Sequence, residues 1–339
     1  MRAVRMEDVG HAIIDNIEIP VPGAGEVLLA PRYSGVCATD LHVLHHHLGN
    51  GPIPLTMGHE VTGRVVKIGP GVPEHLQEAR VVVEPVLPCG DCVYCRQGLV
   101  NLCPHMSHLG IWKDGSFADY VTVDANRVTV VPGNVADIDA ALVEPLACAI
   151  NFSDKAPIRA GDRVAVLGAG PIGLMTVQVL AAMGAAVLVS EPEPKRRELA
   201  QVCGAQVAID PLHDDLLQMA ADWTGNGGCD VAIECGGVSA TVNDAFRIVR
   251  RGGHVVLAGN TFEPLRVDIA PIVAGELIVQ GANATRWQVP RALRLISEKR
   301  VQPSKIVSQI YPLTKTVEAL ESAHRDKNQG KLMIEIETP

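Results

Sequence analysis

The stretch VAVLGAGPIGLMTVQVLAAMGAAVLV, Val164 to Val189, contains no charged residue. On hydropathy alone such a run resembles a membrane span, but its punctuation dictates otherwise. Gly168, Gly170, Pro171, Gly173 and Gly184 divide it into a short β-rich run (VAVLG), a glycine turn, an apolar helix (IGLMTVQVLAAM) and a second strand (AVLVSE). Strands apolar throughout are covered on both faces, so the segment reads as a buried βαβ unit, and the chain is committed to an α/β class.

The texture on either side extends this reading. From Asp162 onward strands and helices alternate through QVAID, DVAIECGG, HVVLAG and ELIVQGAN, the pattern of a doubly wound parallel sheet. The first 150 residues instead carry short alternating runs, EVLLAPRYSG, EVTGRVVKIG, RVVVEPVL and FADYVTVDAN, broken by Gly and Pro, which predict an antiparallel, barrel-like β region. After Trp287 come a helix, a strand, another helix and the final strand KLMIEIE; this tail is expected to return to the first domain. A chain of 339 residues with 47% hydrophobic content fits two domains. Charged residues make up only 20%, and the net charge of −9 without a basic block argues against nucleic acid or an anionic membrane as partner. The N-terminal MRAVRMEDVG lacks the apolar segment of a secretory signal, so the cytoplasm is the expected location.

GAGPIG follows a predicted strand and opens a helix, the context that G-x-G-x-x-G requires. Gly168 turns the chain, Gly170 lets the backbone approach a pyrophosphate, and Gly173 permits close helix packing, with Pro171 and Ile172 beginning the helix. Phosphates would rest on amide groups at the helix N-terminus. The next strand ends in Glu191, about 20 residues on, where a carboxylate can accept from ribose hydroxyls and would repel a 2′-phosphate, which predicts NAD. Lys195, Arg196 and Arg197 lie just beyond, either as a solvated first helical turn or as a phosphate clamp.

The segment CGDCVYCRQGLVNLC sets Cys89, Cys92, Cys95 and Cys103 in one short loop. Four thiolates at this spacing satisfy a closed tetrahedral zinc site, which stabilises a loop too short to fold on its own core. The first three cysteines echo an iron–sulfur motif, but the gap to the fourth is longer than that motif has. Cys37 in GVCATDLH and the pair His59 and Glu60 in GHE supply the donor types of a catalytic zinc. Glu144, at the start of a predicted helix in apolar surroundings, is either a further donor or a glutamate favoured by the helix dipole. Cys148, Cys203, Cys229 and Cys235 read as small buried residues.

Together these motifs resemble the zinc-dependent medium-chain dehydrogenases, in particular the branch of sorbitol, threonine and butanediol dehydrogenases. The resemblance spans nearly the whole chain and rests on GVCATDLH, GHEVTGRVVKIG, the four-cysteine lobe, DGSFADYV, LVEPLA, VLGAGPIGL and VSEP in the family's order. It implies a GroES-like β-rich catalytic domain of residues 1–151 and 285–339, with the zinc lobe at about 85–105, and a Rossmann domain of residues 152–284. It makes Cys37 and His59 ligands of the catalytic zinc, completed by Glu60 or Glu144 or both in turn, Thr39 the hydroxyl that takes the alcohol proton, and His42 a relay near the cofactor ribose. Gly168, Gly170, Pro171, Ile172, Gly173, Glu191 and Arg196 are the implied cofactor contacts.

The implied activity is hydride transfer between NAD and a secondary alcohol or ketone, with two zinc ions per chain and a homodimer or homotetramer as the assembly. An NADP-preferring ketone reductase of the same fold, or a catalytically silent NAD-binding protein, are the alternatives. A zinc module for DNA is disfavoured by the negative charge. Aromatic content of 3% leaves little material for a large apolar pocket. His45, His46, His47 and Asn50, in a run without strong helix or strand period, read either as a loop facing a polyol, sugar, aminocyclitol or amino-alcohol, or as a solvated loop.

Overall fold

A computed structural model of the chain describes residues 1–46, 48–261 and 263–337. The uncharged run folds as strand Arg163–Leu167, helix Pro171–Ala182 and strand Ala186–Ser190. Val164 to Leu167 are fully covered, which is why no polar residue alternates along that strand. Among the described residues no helix is long and apolar enough to cross a membrane.

Six parallel strands lie side by side in the order Val207–Ile209, Ala186–Ser190, Arg163–Leu167, Cys229–Glu234, Val249–Leu257, Ile278–Gly281. Numbered along the chain this is 3-2-1-4-5-6, the Rossmann order, and the direction of winding reverses between Arg163–Leu167 and Cys229–Glu234. The crevice beyond the carboxyl ends of these two strands is where such sheets bind dinucleotides.

The N-terminal strands build a second sheet in the order Val128–Val130, Arg80–Val83, Glu60–Ile68, Glu26–Gly35, Lys331–Glu335, Val307–Pro312, with Val121–Asp124 pairing the start of Glu26–Gly35. The tail therefore joins this sheet, Lys331–Glu335 running antiparallel to Glu26–Gly35. Its pairing with Val307–Pro312 is parallel, unlike the antiparallel pattern expected for this region, because helix Thr316–Arg325 connects the two strands as a crossover.

Two features of the register position the site. Gly35 pairs with Glu60 on one side and with Met333 on the other, so Cys37 and His59, just outside two strands, converge with Lys331, the first residue of a third. A Cβ on Gly35 would lie 2.1 Å from Glu60 Oε2 and 2.9 Å from Lys331 Cε, so only glycine admits both side chains. Helix Val143–Ser153, buried along its whole length, packs on Pro171–Ala182 and Val289–Ser297. Its residues share one core with Val166, Val289 and Met333, which joins the two sheets.

The run Asp40–Asn50 departs from the expected loop: Ala38–His46 is a helix. Its buried face mixes Asp40 with Leu41, Val43 and Leu44, which blurs the apolar period. Asp40 stabilises the start, accepting a hydrogen bond from the Cys37 amide at 2.8 Å in the manner of one half of a capping box.

Candidate active site

Cys37 Sγ and a donor atom each of His59 and Glu60 lie within 4.8 Å of one another. Cys37 is the residue before the capped helix, and His59 precedes strand Glu60–Ile68, so two adjacent strand ends deliver all three. His59 Nδ1 stands 3.2 Å from Asp40 Oδ1, which orients the ring and leaves Nε2 for the cluster. Burial alone would depress this imidazole, but the Asp40 carboxylate and Cys37 outweigh it and push it well above its ordinary value.

Glu60 is paired with Lys331, whose Nζ donates to Oε1 at 2.6 Å, both side chains being almost completely covered. Burial lowers the Lys331 ammonium, yet the Glu60 charge, with Cys37 and Asp40, holds it above its usual range. Glu144 sits in the first turn of Val143–Ser153 and lies outside the three-donor cluster. Burial and the neighbouring Glu60 charge raise its carboxyl, against the pull of His59 and Lys331, and its Oε1 accepts from the Cys148 thiol at 3.3 Å. Asp40, Glu60 and the Cys37 sulfur thus gather around Lys331, and Glu60, His59 and Lys331 around Glu144, so that Lys331 and the raised His59 imidazole are the cations of the group. Cys37, His59 and Glu60 supply the sulfur, nitrogen and carboxylate donors that a divalent cation of the zinc type takes, with two of the three buried.

Thr39 and His42 are half-buried on this helix, three residues apart and therefore on one face. Burial, then His46 and Lys327, hold His42 below 6.5. His45 turns toward helix Thr316–Arg325, its ring centroid 4.7 Å from that of His324, while His46 is exposed and its ring lies 5.9 Å from His42. These two side chains belong to a helix and not to a loop; Asn50 is exposed beyond its end, and His47 lies outside the described residues.

The four-cysteine lobe passes an independent test of fit. With Zn–S bonds of about 2.3 Å, sulfurs at tetrahedral corners stand about 3.8 Å apart. The observed separations are 3.5 Å for Cys92 to Cys95, 3.5 Å for Cys103 to Cys89 and 3.9 Å for Cys89 to Cys95. The Cys89 amide points at Cys103 Sγ and the Cys95 amide at Cys92 Sγ. Burial opposes ionisation of Cys103, but the Cys89 and His105 amides and the neighbouring thiols bring it down to about 7.

At the dinucleotide crevice Gly168 adopts φ +96°, and a Cβ on Gly173 would lie 2.0 Å from the Gly168 carbonyl oxygen. Helix Pro171–Ala182 starts at Pro171 with Gly170 before it and no capping side chain, so Ile172 and Gly173 open a bare helix N-terminus. Glu191 is buried and bound on both oxygens, Oε2 accepting from Ala169 N at 2.6 Å and Oε1 from Glu193 N at 3.0 Å. Arg197 is committed to the Glu191 and Pro192 carbonyls and to Asp210. Lys195 is exposed. Arg196 donates Nε to Gln329 O and brings Nη1 within 3.9 Å of where a Gly170 Cβ would be, so it alone of the three reaches the glycine turn.

Sequence reasoning missed Asp40, Lys331, Cys148 and His108 as members of the site. Asp40 stands at the capping-box offset from Cys37, and Cys148 one helical turn after Glu144, so both carried a local signal. Lys331 meets Glu60 across 271 positions and carried none. His108 stands edge-on to His59, ring centroids 5.2 Å apart.

The protein-family description "Alcohol dehydrogenase GroES-like domain" matches residues 23–133, and "Zinc-binding dehydrogenase" matches residues 171–298. The chain is 33% identical to 2-dehydro-3-deoxy-L-galactonate 5-dehydrogenase of Pseudoalteromonas atlantica, over 96% of this chain and 94% of that protein. It is 32% identical to sorbitol dehydrogenase of Halalkalibacterium halodurans, over 97% and 96% of the two chains. Among solved structures, a zinc-binding dehydrogenase of Sinorhizobium meliloti 1021 bound to NADP superposes with a TM-score of 0.93 at 34% identity, covering 98% of each chain.

Proposed function

Since the chain belongs to the zinc-dependent medium-chain dehydrogenases, and is thus an alcohol dehydrogenase by family, we propose that it oxidises a secondary alcohol of a small polyhydroxy or amino-alcohol compound with NAD, or reduces the matching ketone. The observation that carries this reading is the cluster of half-buried Cys37 with buried His59 and Glu60, held between Asp40 and Lys331. Relatives acting on a sugar acid and on sorbitol favour an oxygen-rich substrate.

In this reading Cys37 and His59 hold the catalytic zinc, with Glu60 or Glu144 completing the set, and Cys89, Cys92, Cys95 and Cys103 hold a structural zinc. When bound, zinc supplies Lewis-acid stabilisation of the charge that develops on the substrate oxygen, and the nicotinamide ring accepts the hydride. Asp40 keeps the His59 ring in place. Thr39 Oγ accepts the hydroxyl proton as its own hydroxyl hydrogen passes on toward His42. His42, kept neutral near pH 7 by burial and its cationic neighbours, receives that proton on its way to solvent. Gly168 to Gly173 carry the pyrophosphate, and Glu191 accepts from the adenosine ribose with the acceptor capacity its two backbone bonds leave.

The cleft for this reaction lies between a catalytic domain of residues 1–151 and 285–339 and an NAD-binding domain of residues 152–284. Strand Ile278–Gly281, exposed along its length at the edge of the parallel sheet, suits pairing with a second copy in a homodimer or homotetramer.

Metal analysis of the purified protein, its mass in solution, and a panel of polyols, amino-alcohols and aminocyclitols with each cofactor test the proposal together. About two zinc ions per chain and at least about a tenfold preference for NAD are expected. One zinc would remove the catalytic site from the proposal. A preference for NADP, the cofactor in the Sinorhizobium meliloti structure, would overturn the role given to Glu191.

A further inference from the structure

His108 sits beside the donor cluster and has no part in the chemistry above. It ends the two-residue strand Ser107–His108, and its own carbonyl accepts from the amides of Ile111, Trp112 and Lys113 at 3.2, 3.0 and 3.3 Å, which fixes its backbone. The ring stands at 70° to the His59 ring with centroids 5.2 Å apart. Nδ1 lies 2.7 Å from the Leu109 carbonyl oxygen. A carbonyl oxygen can only accept, so Nδ1 carries the hydrogen and Nε2 carries the lone pair. Among the described residues none donates to Nε2, yet this nitrogen is not one of the sealed, partnerless polar atoms, and the side chain is half-buried. An oriented acceptor with an open lone pair therefore stands next to His59.

We propose that His108 is a specificity-determining residue whose Nε2 accepts a hydrogen bond from a second hydroxyl or ammonium group of the substrate, next to the carbinol that is oxidised. The inference rests on the dehydrogenase reading and sharpens it to vicinal diols and amino-alcohols. A carboxylate at that position would meet the lone pair and be disfavoured. An acceptor built to meet an O–H or N–H discriminates against the analogue lacking it, because that analogue leaves the acceptor desolvated and unpaired.

The test compares kcat/KM with NAD for matched pairs: 2,3-butanediol and 3-amino-2-butanol against 2-butanol, and myo-inositol against cyclohexanol. His108→Phe keeps a ring and removes the acceptor; His108→Gln restores a carbonyl acceptor on a flexible arm. In His108→Phe the ratio of the diol, amino-alcohol or cyclitol to its monohydric partner should fall about tenfold, through KM more than kcat, with part of the loss recovered in His108→Gln. Because each ratio is taken within one protein preparation, differences in zinc loading cancel. An unchanged ratio in an enzyme that oxidises these alcohols overturns the role of His108 alone. A wild-type enzyme that oxidises none of them overturns the proposed polyhydroxy or amino-alcohol substrate, and the inference with it. A fall confined to the diol or to the amino-alcohol identifies which donor His108 meets.

Discussion

Asp40 serves two neighbours with one carboxylate, taking the Cys37 amide on Oδ2 and standing beside His59 with Oδ1. The helix cap and the orientation of a metal-type imidazole are thereby one feature, so neither can relax without the other. Glu191 has the same economy at the cofactor crevice, since it pins the Ala169 and Glu193 amides and also places a buried negative charge beside the glycine turn. Two variants separate these roles. Glu191→Gln keeps an acceptor for one amide and removes the charge, whereas Glu191→Ala leaves both amides unpaired. Both should shift the NAD to NADP ratio of kcat/KM toward NADP by about tenfold, and Glu191→Ala should also lower the melting temperature. Paired kinetics and a thermal melt read both effects, and an unmoved ratio in Glu191→Gln would show that charge does not choose the cofactor. Glu191 was legible in the sequence because the glycine fingerprint fixes its distance along the chain. His108 was not, because only the fold places it against His59.

At the scale of elements, the strand–turn–helix unit at Arg163–Ala182 was legible because glycine and proline mark its corners. Helix Ala38–His46 was hidden by its buried aspartate and its histidines, and it packs against helix Thr316–Arg325 from the far end of the chain. That contact carries a pH dependence. Burial, then His324 and His46, hold His45 below its ordinary 6.5. Among the described residues, His46 on its own helix and His324 from the tail are the titratable groups that act on it, the His324 ring with its centroid 4.7 Å away. With the folded value below the unfolded one, the unfolded chain takes up the proton first. The contribution to stability is present above 6.5 and is lost as pH falls from there toward the folded value. His45→Gln removes this proton uptake, so its melting temperature should fall less than that of wild type between about pH 7.5 and about pH 5.5. Acid loss of metal is common to both proteins and cancels in the comparison. Equal falls would mean that His45 does not titrate across this interface.

Across the whole molecule, the chain leaves the parallel sheet through residues 282–288 on its way back to the sheet of the N-terminal strands, and this crossing is held by buried amides. Asn151, fully covered on the helix that carries Glu144, donates Nδ2 to the Ala284 carbonyl at 2.8 Å and to that of Asn283 at 3.2 Å. Asn101, buried in the four-cysteine lobe, donates to the same Asn283 carbonyl at 2.8 Å, and Gln288 returns a bond to Asn151 Oδ1 at 3.3 Å. Ala284 and Trp287 adopt φ of 48° and 61°, left-handed conformations that L-residues keep only when their surroundings enforce them. Lobe, helix and crossing are thus one hydrogen-bonded network, with Asn101 and Asn151 buried and Asn283 exposed, and it is invisible in the sequence because the three are polar residues in unrelated segments. Asn151→Ala leaves the Ala284 carbonyl without its side-chain donor and should cost about 2 kcal/mol, or about 3 °C in melting temperature. Asn101→Ala alone should cost less, since Asn283 keeps its bond from Asn151. The double variant strips the Asn283 carbonyl of both donors, so its loss should exceed the sum of the two single losses. Because the crossing links the two sheets, KM for NAD should rise with each loss while zinc content stays constant. Additive losses, or a KM that does not move, would mean that the amides stabilise three separate segments and not a shared joint.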